Sequence, residues 1–268
     1  MHRSTVRRSA AGVAALVAVA AVPSVASAAD AQTAGAGPSP RIPVMVTGTS
    51  NQILFRQTIT ARPVTVRTTA GATCRVNGGL PLAALEAARA AGGPSISLRD
   101  FQNCSPTTGA DSGGLFVQAI GGRPASGNNG WSYKVNSSSG TTGGADPSGP
   151  FGDGPLENGD QVLWFYCRPV DPQFNCQRSL DIVNLTQTAR VGRPARFSVT
   201  GIDNNGDDIP VQGARVSFAG GSARTNARGV ATVIPRRVGL FLYSASRTGM
   251  VPAFPDFQRV RRGGSFTG

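Results

Sequence analysis

The stretch Asn158–Cys167 reads NGDQVLWFYC, a turn signal followed by a run in which every residue from Val162 to Cys167 is apolar or aromatic. Earlier in the chain Asn128–Ser137, NNGWSYKVNS, follows the same plan with a Trp and a Tyr at alternate positions. In an extended strand, side chains two apart share a face. Trp131, Tyr133 and Val135 therefore lie opposite Ser132, Lys134 and Asn136, and Val162, Trp164 and Tyr166 lie opposite Leu163, Phe165 and Cys167. The second strand is apolar on both faces, which predicts a central strand with a helix over one side. The other side needs a cover: a long insert, a second domain or a ligand.

Working outward, Pro43–Thr49 alternates, a turn follows at 48–51, and ILFRQTITARPVTVRT supplies further strands, so a hairpin opens the fold. GGLPLAALEAARAAGG places Pro81 at a helix start, spaces Leu82, Leu85 and Ala88 helically, and stops at Gly92-Gly93, predicting a short helix with a narrow apolar stripe. SISLRDF, GLFVQAI and the two aromatic strands come next. Hairpin, helix, then strands suits a β-grasp-like α+β domain, with the helix across one face of a mixed sheet. The insert Ser137–Gly159 has few large apolar residues and is too long for a tight hairpin, a length at which loops are functional or disordered.

Past Cys176 no helical pattern remains. ARFSVTGI, ARVSF, GVATVI and LFLYSAS alternate between turn signals, as a small β-sandwich does. The chain is thus predicted to be mainly β: a signal peptide over 1–28, a disordered leader over 29–40, the β-grasp-like domain over 41–178, an immunoglobulin-like β-sandwich over 179–260, and a flexible tail over 261–268.

The first half resembles the transcobalamin C-terminal-like domain of exported bacterial proteins. The likeness rests on the GW-x-Y-x-VN strand at Gly130–Asn136 and on Gly159, Asp160, Val162, Trp164 and Tyr166 of the later strand, with the helix before them. It implies a β-grasp-like fold and a flat ligand such as cobalamin against the aromatic strand; in cobalamin carriers a helical domain closes the far side, and no such partner is read in this chain. The second half is similar to bacterial immunoglobulin-like and carboxypeptidase-regulatory-like sandwiches, through VQGARVSFAGGSARTNARGVATV and the later YSA. Such modules serve as spacers or adhesive stalks.

Arg3, Arg7 and Arg8 precede an apolar run from Ala10 to Val22 and the triplet Ala26-Ser27-Ala28, the pattern of a secretory signal cut after Ala28. No later segment approaches the roughly 20 apolar residues of a membrane helix. The expectation is a secreted monomer without a transmembrane segment, free or held non-covalently at the cell surface. The net charge of +12 comes almost wholly from arginine, Lys134 being the only lysine. The arginines are scattered rather than clustered, which argues against nucleic acid and for a general attraction to an anionic envelope.

His2 is the only histidine and leaves with the signal, which excludes Ser-His-Asp and Cys-His nucleophile systems and imidazole zinc sites. Only Glu86 and Glu157 are glutamates among the 14 acidic residues, with no carboxylate pair in a cleft context. No enzyme and no cofactor is predicted. Four cysteines in an exported chain read as disulfides; three pairings are possible, and Cys74 with Cys104 and Cys167 with Cys176 is preferred because each closes a local loop. A site of four thiolates is the alternative, although no CxxC spacing is present. Asp203, Asn205 and Asp207 have the spacing of half a calcium loop but lack its closing glutamate, and read as a turn; no metal is predicted.

The aromatics divide. Trp164 and Phe165 read as core; Trp131, beside the turn SGNNG, and Tyr133 have the better claim to a ligand surface. Lys134 and Asn136 are candidate donors to a polar ligand from a solvent face, and Asp160 reads as holding its turn. The function expected is non-enzymatic binding or interaction at the bacterial cell envelope, with a small molecule or envelope polymer as partner. The alternatives are capture of a flat molecule such as cobalamin and a purely structural spacer or adhesin.

Overall fold

A computed structural model describes residues 37–101, 104 and 114–263. The expected signal peptide, positions 29–36 of the leader and positions 264–268 of the tail lie outside the described residues. In the first half the strands are β1 (Arg41–Thr47), β2 (Ile53–Thr60), β3 (Val64–Arg67) and β4 (Thr73–Val76), followed by the helix α1 (Pro81–Ala90). Then come β5 (Ile96–Asp100), β6 (Leu115–Ile120), β7 (Arg123–Pro124), β8 (Gly130–Val135), β9 (Ser138–Ser139) and β10 (Val162–Cys167).

The main sheet runs β2-β1-β10-β8-β9, with β1 and β10 parallel and the other neighbours antiparallel. Hairpin, helix and aromatic strands thus occur in the predicted order. All six residues of β10 are buried, as a central strand covered on both faces requires. α1 lies over one face, where the Trp164 indole N–H donates to the Pro81 carbonyl at 3.1 Å. The helix starts at Pro81, whose missing N–H costs nothing in the first turn. It ends at Gly92, whose φ of +92° few other residues adopt. Its apolar surface is broader than the narrow stripe expected: Pro81 to Glu86 are all buried. The reason is the insert, which folds over the helix start, with Leu82 N–H donating to Gly144 O at 2.8 Å and Leu156 N–H to Gly79 O at 2.7 Å.

The second half contains β11 (Ser179–Asn184), β12 (Ala189–Arg190), β13 (Ala195–Ile202), β14 (Asp208–Pro210), β15 (Arg215–Phe218), β16 (Gly221–Arg224), β17 (Val230–Val233), β18 (Gly239–Ser246) and β19 (Asp256–Arg261). One sheet is β11-β13-β14 with β17 also on β13, and the other is β12-β19-β18-β15-β16. Phe197 of the first meets Phe218 and Tyr243 of the second, with ring centroids 5.3 and 5.2 Å apart, inside a buried cluster of valines and alanines. β19 was hidden in the sequence because one of its two inward residues is polar: Gln258 is buried and donates to Thr186 O at 2.6 Å. Arg261, expected to open the tail, closes this strand.

Two cores lie on either side of the expected 178/179 boundary, and a third cluster crosses it. Met45, Leu163, Phe165 and Cys167 on the face of the main sheet away from α1 pack with Cys176 and with Val251 of the second half. Leu180 N–H donates to Val251 O at 2.8 Å and Val251 N–H to Arg178 O at 3.0 Å. The described residues form one compact unit. The cover for the far face of β10 is therefore the second half. Both preferred disulfides are present, Cys74–Cys104 and Cys167–Cys176, with Cα separations of 5.3 and 5.0 Å. No helix of the described residues is long and apolar enough to cross a membrane.

Phe165 is fully buried in the shared cluster. Phe165→Ala should cost about 3–5 kcal/mol, as large aromatic truncations in cores do, and should split the calorimetric melt into two transitions. A loss below about 1 kcal/mol with one transition would show that this cluster does not couple the halves.

Candidate functional site

The register of β8 against β10 sets Trp131 opposite Tyr166 and Tyr133 opposite Trp164, four rings on the helix side of the sheet. The Trp131 and Tyr166 rings meet edge-on at 5.3 Å, and Tyr133 lies tilted on Trp164 at 5.2 Å. Each polar tip is satisfied by backbone. Trp131 Nε1–H donates to Arg123 O at 2.8 Å, the Tyr133 hydroxyl to Thr142 O at 3.0 Å, and the Tyr166 hydroxyl to Pro124 O at 3.3 Å.

Trp131 and Tyr133 are 7% and 6% exposed, so the open platform expected at this strand is in fact closed. Two segments close it, the short β7 beside Trp131 and the insert beside Tyr133. Glycine makes the second approach possible: a Cβ on Gly140 would collide with the Tyr133 ring, and one on Gly144 would stand 3.0 Å from Trp164. Burial raises the Tyr133 pKa above its ordinary value, against the Thr142 hydrogen bond, which lowers it.

What remains open is a cleft of about 270 Å³ between the insert and the β5–β6 hairpin, reached by Trp131, Tyr133 and Trp164. Leu82, Leu115 and Val117 add aliphatic wall, and Ser132 and Thr142 contribute hydroxyls. Phe101 and Phe116 line it from the hairpin and are 58% and 41% exposed, with ring centroids 6.3 Å apart. The Arg99 guanidinium sits 4.5 Å above the Phe101 ring, a cation–π contact. Sequence reasoning missed both phenylalanines. The signal was the alternation of GLFVQAI, which puts Phe116 on the face opposite Leu115 and Val117, an apolar ring directed outward.

Lys134 and Asn136 take no part in this cleft. Lys134, expected on a solvent face, is fully buried at the seam with the second half. Its ammonium donates to Asp203 O at 2.6 Å, Ile202 O at 2.9 Å and Ser179 Oγ at 3.1 Å. The expectation failed because that face of β8 is covered by the sandwich. Asn136 is exposed but engaged, its side chain donating to Asp160 Oδ1 at 2.6 Å and accepting from Gln161 N–H at 2.9 Å. Asp160 also accepts from Glu157 N–H at 2.8 Å, so the pair pins both ends of the insert. Asp203 anchors its turn by accepting from the Asn205 and Asp207 N–H groups, both at 3.0 Å, and pairs with Arg178 at 3.1 Å. Among the described residues one cluster is of metal-ligating type, Cys74, Asp100 and Cys104, and both its sulfurs are in a disulfide.

Burial pulls the Lys134 ammonium from 10.5 down to about 8; the Asp203 carboxylate opposes this and Arg178 adds to it. Unfolded, the amine titrates near 10.5, so between those values the unfolded chain holds more protons and stability from this group rises with pH. Above its ordinary value of 10, Tyr243, raised to about 12 by burial and by Asp256, acts in the opposite sense. Between about pH 8 and 10 the wild type should therefore gain stability relative to Lys134→Met in urea unfolding. A difference that stays flat would mean the amine keeps its solution pKa in the fold. Trp131→Ala should cost about 3–5 kcal/mol, as much as Trp164→Ala; a cost under about 1 kcal/mol for Trp131 would restore the open platform.

No protein-family model, curated protein or solved structure matches the chain.

Proposed function

We propose that the chain is a secreted, non-catalytic binding protein of the bacterial cell envelope, and that the aromatic cleft takes a single ring-sized group. The observation that carries this is the exposed pair Phe101 and Phe116 beside a cleft walled by Trp131, Tyr133 and Trp164. Exposed rings grouped beside a formed cleft mark a binding surface, while scattered exposed apolar residues do not. A purely structural spacer has no use for them.

The chemistry of the lining supports binding over catalysis. Among the described lining residues the only titratable group is the Tyr133 hydroxyl, and it is committed to Thr142 O. With no carboxylate, amine or imidazole there, proton transfer and nucleophile activation lack a carrier. Small-molecule pockets usually span about 300–1,000 Å³, and this cleft of about 270 Å³ suits one ring. A corrinoid of the kind the transcobalamin resemblance implies is too large to be enclosed and would meet only the exposed phenylalanines.

Both tryptophans of the chain line the cleft, so intrinsic fluorescence reports on its occupancy. Titration with indole, N-acetylhexosamine oligomers and cobalamin should give saturable quenching with at least one of the small-ring probes. Phe116→Ser should weaken it about tenfold or more while changing stability by no more than about 0.5 kcal/mol. Saturable binding of cobalamin alone would favour the carrier-like reading, and no response to any probe would leave the spacer.

A further inference from the structure

A cleft of about 800 Å³ lies at the seam of the two halves, with no aromatic or acidic residue in its described lining. Four arginines reach it from separate segments. Arg168 follows Cys167, and its backbone is held by the Cys167–Cys176 bridge and by donating to Gln177 Oε1 at 2.7 Å. Arg215 and Arg224 are direct cross-strand partners on β15 and β16. Arg247 belongs to the turn after β18, closed by Met250 N–H donating to Arg247 O at 3.2 Å.

Like charges set directly opposite each other on neighbouring strands are destabilising. Neither Arg215 nor Arg224 is in an ion pair with a carboxylate among the described residues; Glu86–Arg89 and Asp203–Arg178 lie elsewhere. Each instead holds a neutral anchor that fixes its side chain. Arg224 donates to Gly213 O at 2.8 Å and Arg215 to Ser222 Oγ at 3.3 Å, which leaves further N–H donors on each guanidinium. An arrangement of this kind is completed by an external oxyanion, to which guanidinium presents a bidentate fork.

We propose that Arg168, Arg215, Arg224 and Arg247 form a binding site for the phosphates of a phosphodiester polymer that carries no bases. The cleft is far larger than one oxyanion, and four guanidinium groups from three parts of the fold suit a row of charges along a chain. Proteins that hold single-stranded nucleic acid add aromatic stacking platforms to such a groove, and this lining has no ring. Inorganic phosphate shares the recognition chemistry but engages fewer of the arginines. The site is separate from the aromatic cleft and goes beyond the function proposed above, so either can fail without the other.

The test is calorimetric titration of the whole protein with poly(glycerol phosphate), inorganic phosphate and a single-stranded oligonucleotide of matched charge, at several salt concentrations. The polymer should bind most tightly. Arg215→Ser/Arg224→Ser should weaken it at least about tenfold and lower the log–log salt slope by about 2, roughly one per phosphate contact removed. Arg259→Ser/Arg261→Ser, with the same change in net charge on another strand, should shift affinity less than about threefold. In phosphate-free buffer the Arg215/Arg224 variant should melt no lower than wild type, because a like-charge pair has been removed. Arg247→Ser alone, weaker in the polymer titration and unchanged in ring-probe quenching, gives a second reading should the double variant misfold. Equal losses in both double variants would reduce the effect to overall charge. A preference for the oligonucleotide, or phosphate binding as tightly as polymer, would overturn the proposal.

Discussion

β10 has no face to give to water. Each of its six side chains is buried, so everything on either side of it exists to cover one of its surfaces. On one side α1 and the insert close over Trp164 and β7 closes over Tyr166; on the other the second half closes over Leu163, Phe165 and Cys167. Parallel pairing with β1 and antiparallel pairing with β8 use both edges of the same strand. Burying rings of this size is the largest favourable term available to a sheet, and it accounts for the two halves packing as one unit.

Such packing brings polar groups into dry places, and around β8 and β10 the structure answers them mainly with backbone. Lys134 spends its ammonium on two carbonyls and a hydroxyl at the seam, and Tyr133, Trp131 and Trp164 end on carbonyls of the insert, of β7 and of the helix start. A buried polar group without a partner costs about 1–3 kcal/mol. These bonds therefore do more to specify which segments meet than to add net stability, and they remove from the surface residues that a linear reading offers to a ligand.

The two clefts proposed for partners are of different chemical kinds: a ring-sized aromatic cleft in the first half and an arginine-lined cleft at the seam. The first is apolar with exposed phenylalanines and the second carries formal charge with no counter-ion among the described residues. Both suit the envelope setting proposed above, where rings and anionic groups occur along the same polymers.

Much of the fold was legible because it rests on local rules. Alternation in GWSYKV and ARFSVTGI, Pro81 and Gly92 at the ends of α1, and the loop lengths between cysteines are each decided by residues close in sequence. β19 escaped because the inward-facing Gln258 broke its apolar pattern. The site was less legible: that Trp131 belongs to a strand was plain, but that β7 and a glycine-rich insert would close over it was not. Likewise Lys134 was readable as lying opposite Tyr133, while the solvent expected on that side turned out to be Asp203, Ile202 and Ser179, distant in sequence. Periodicity states which side chains share a face; what that face meets depends on contacts between segments far apart in the chain, and those only the tertiary packing decides.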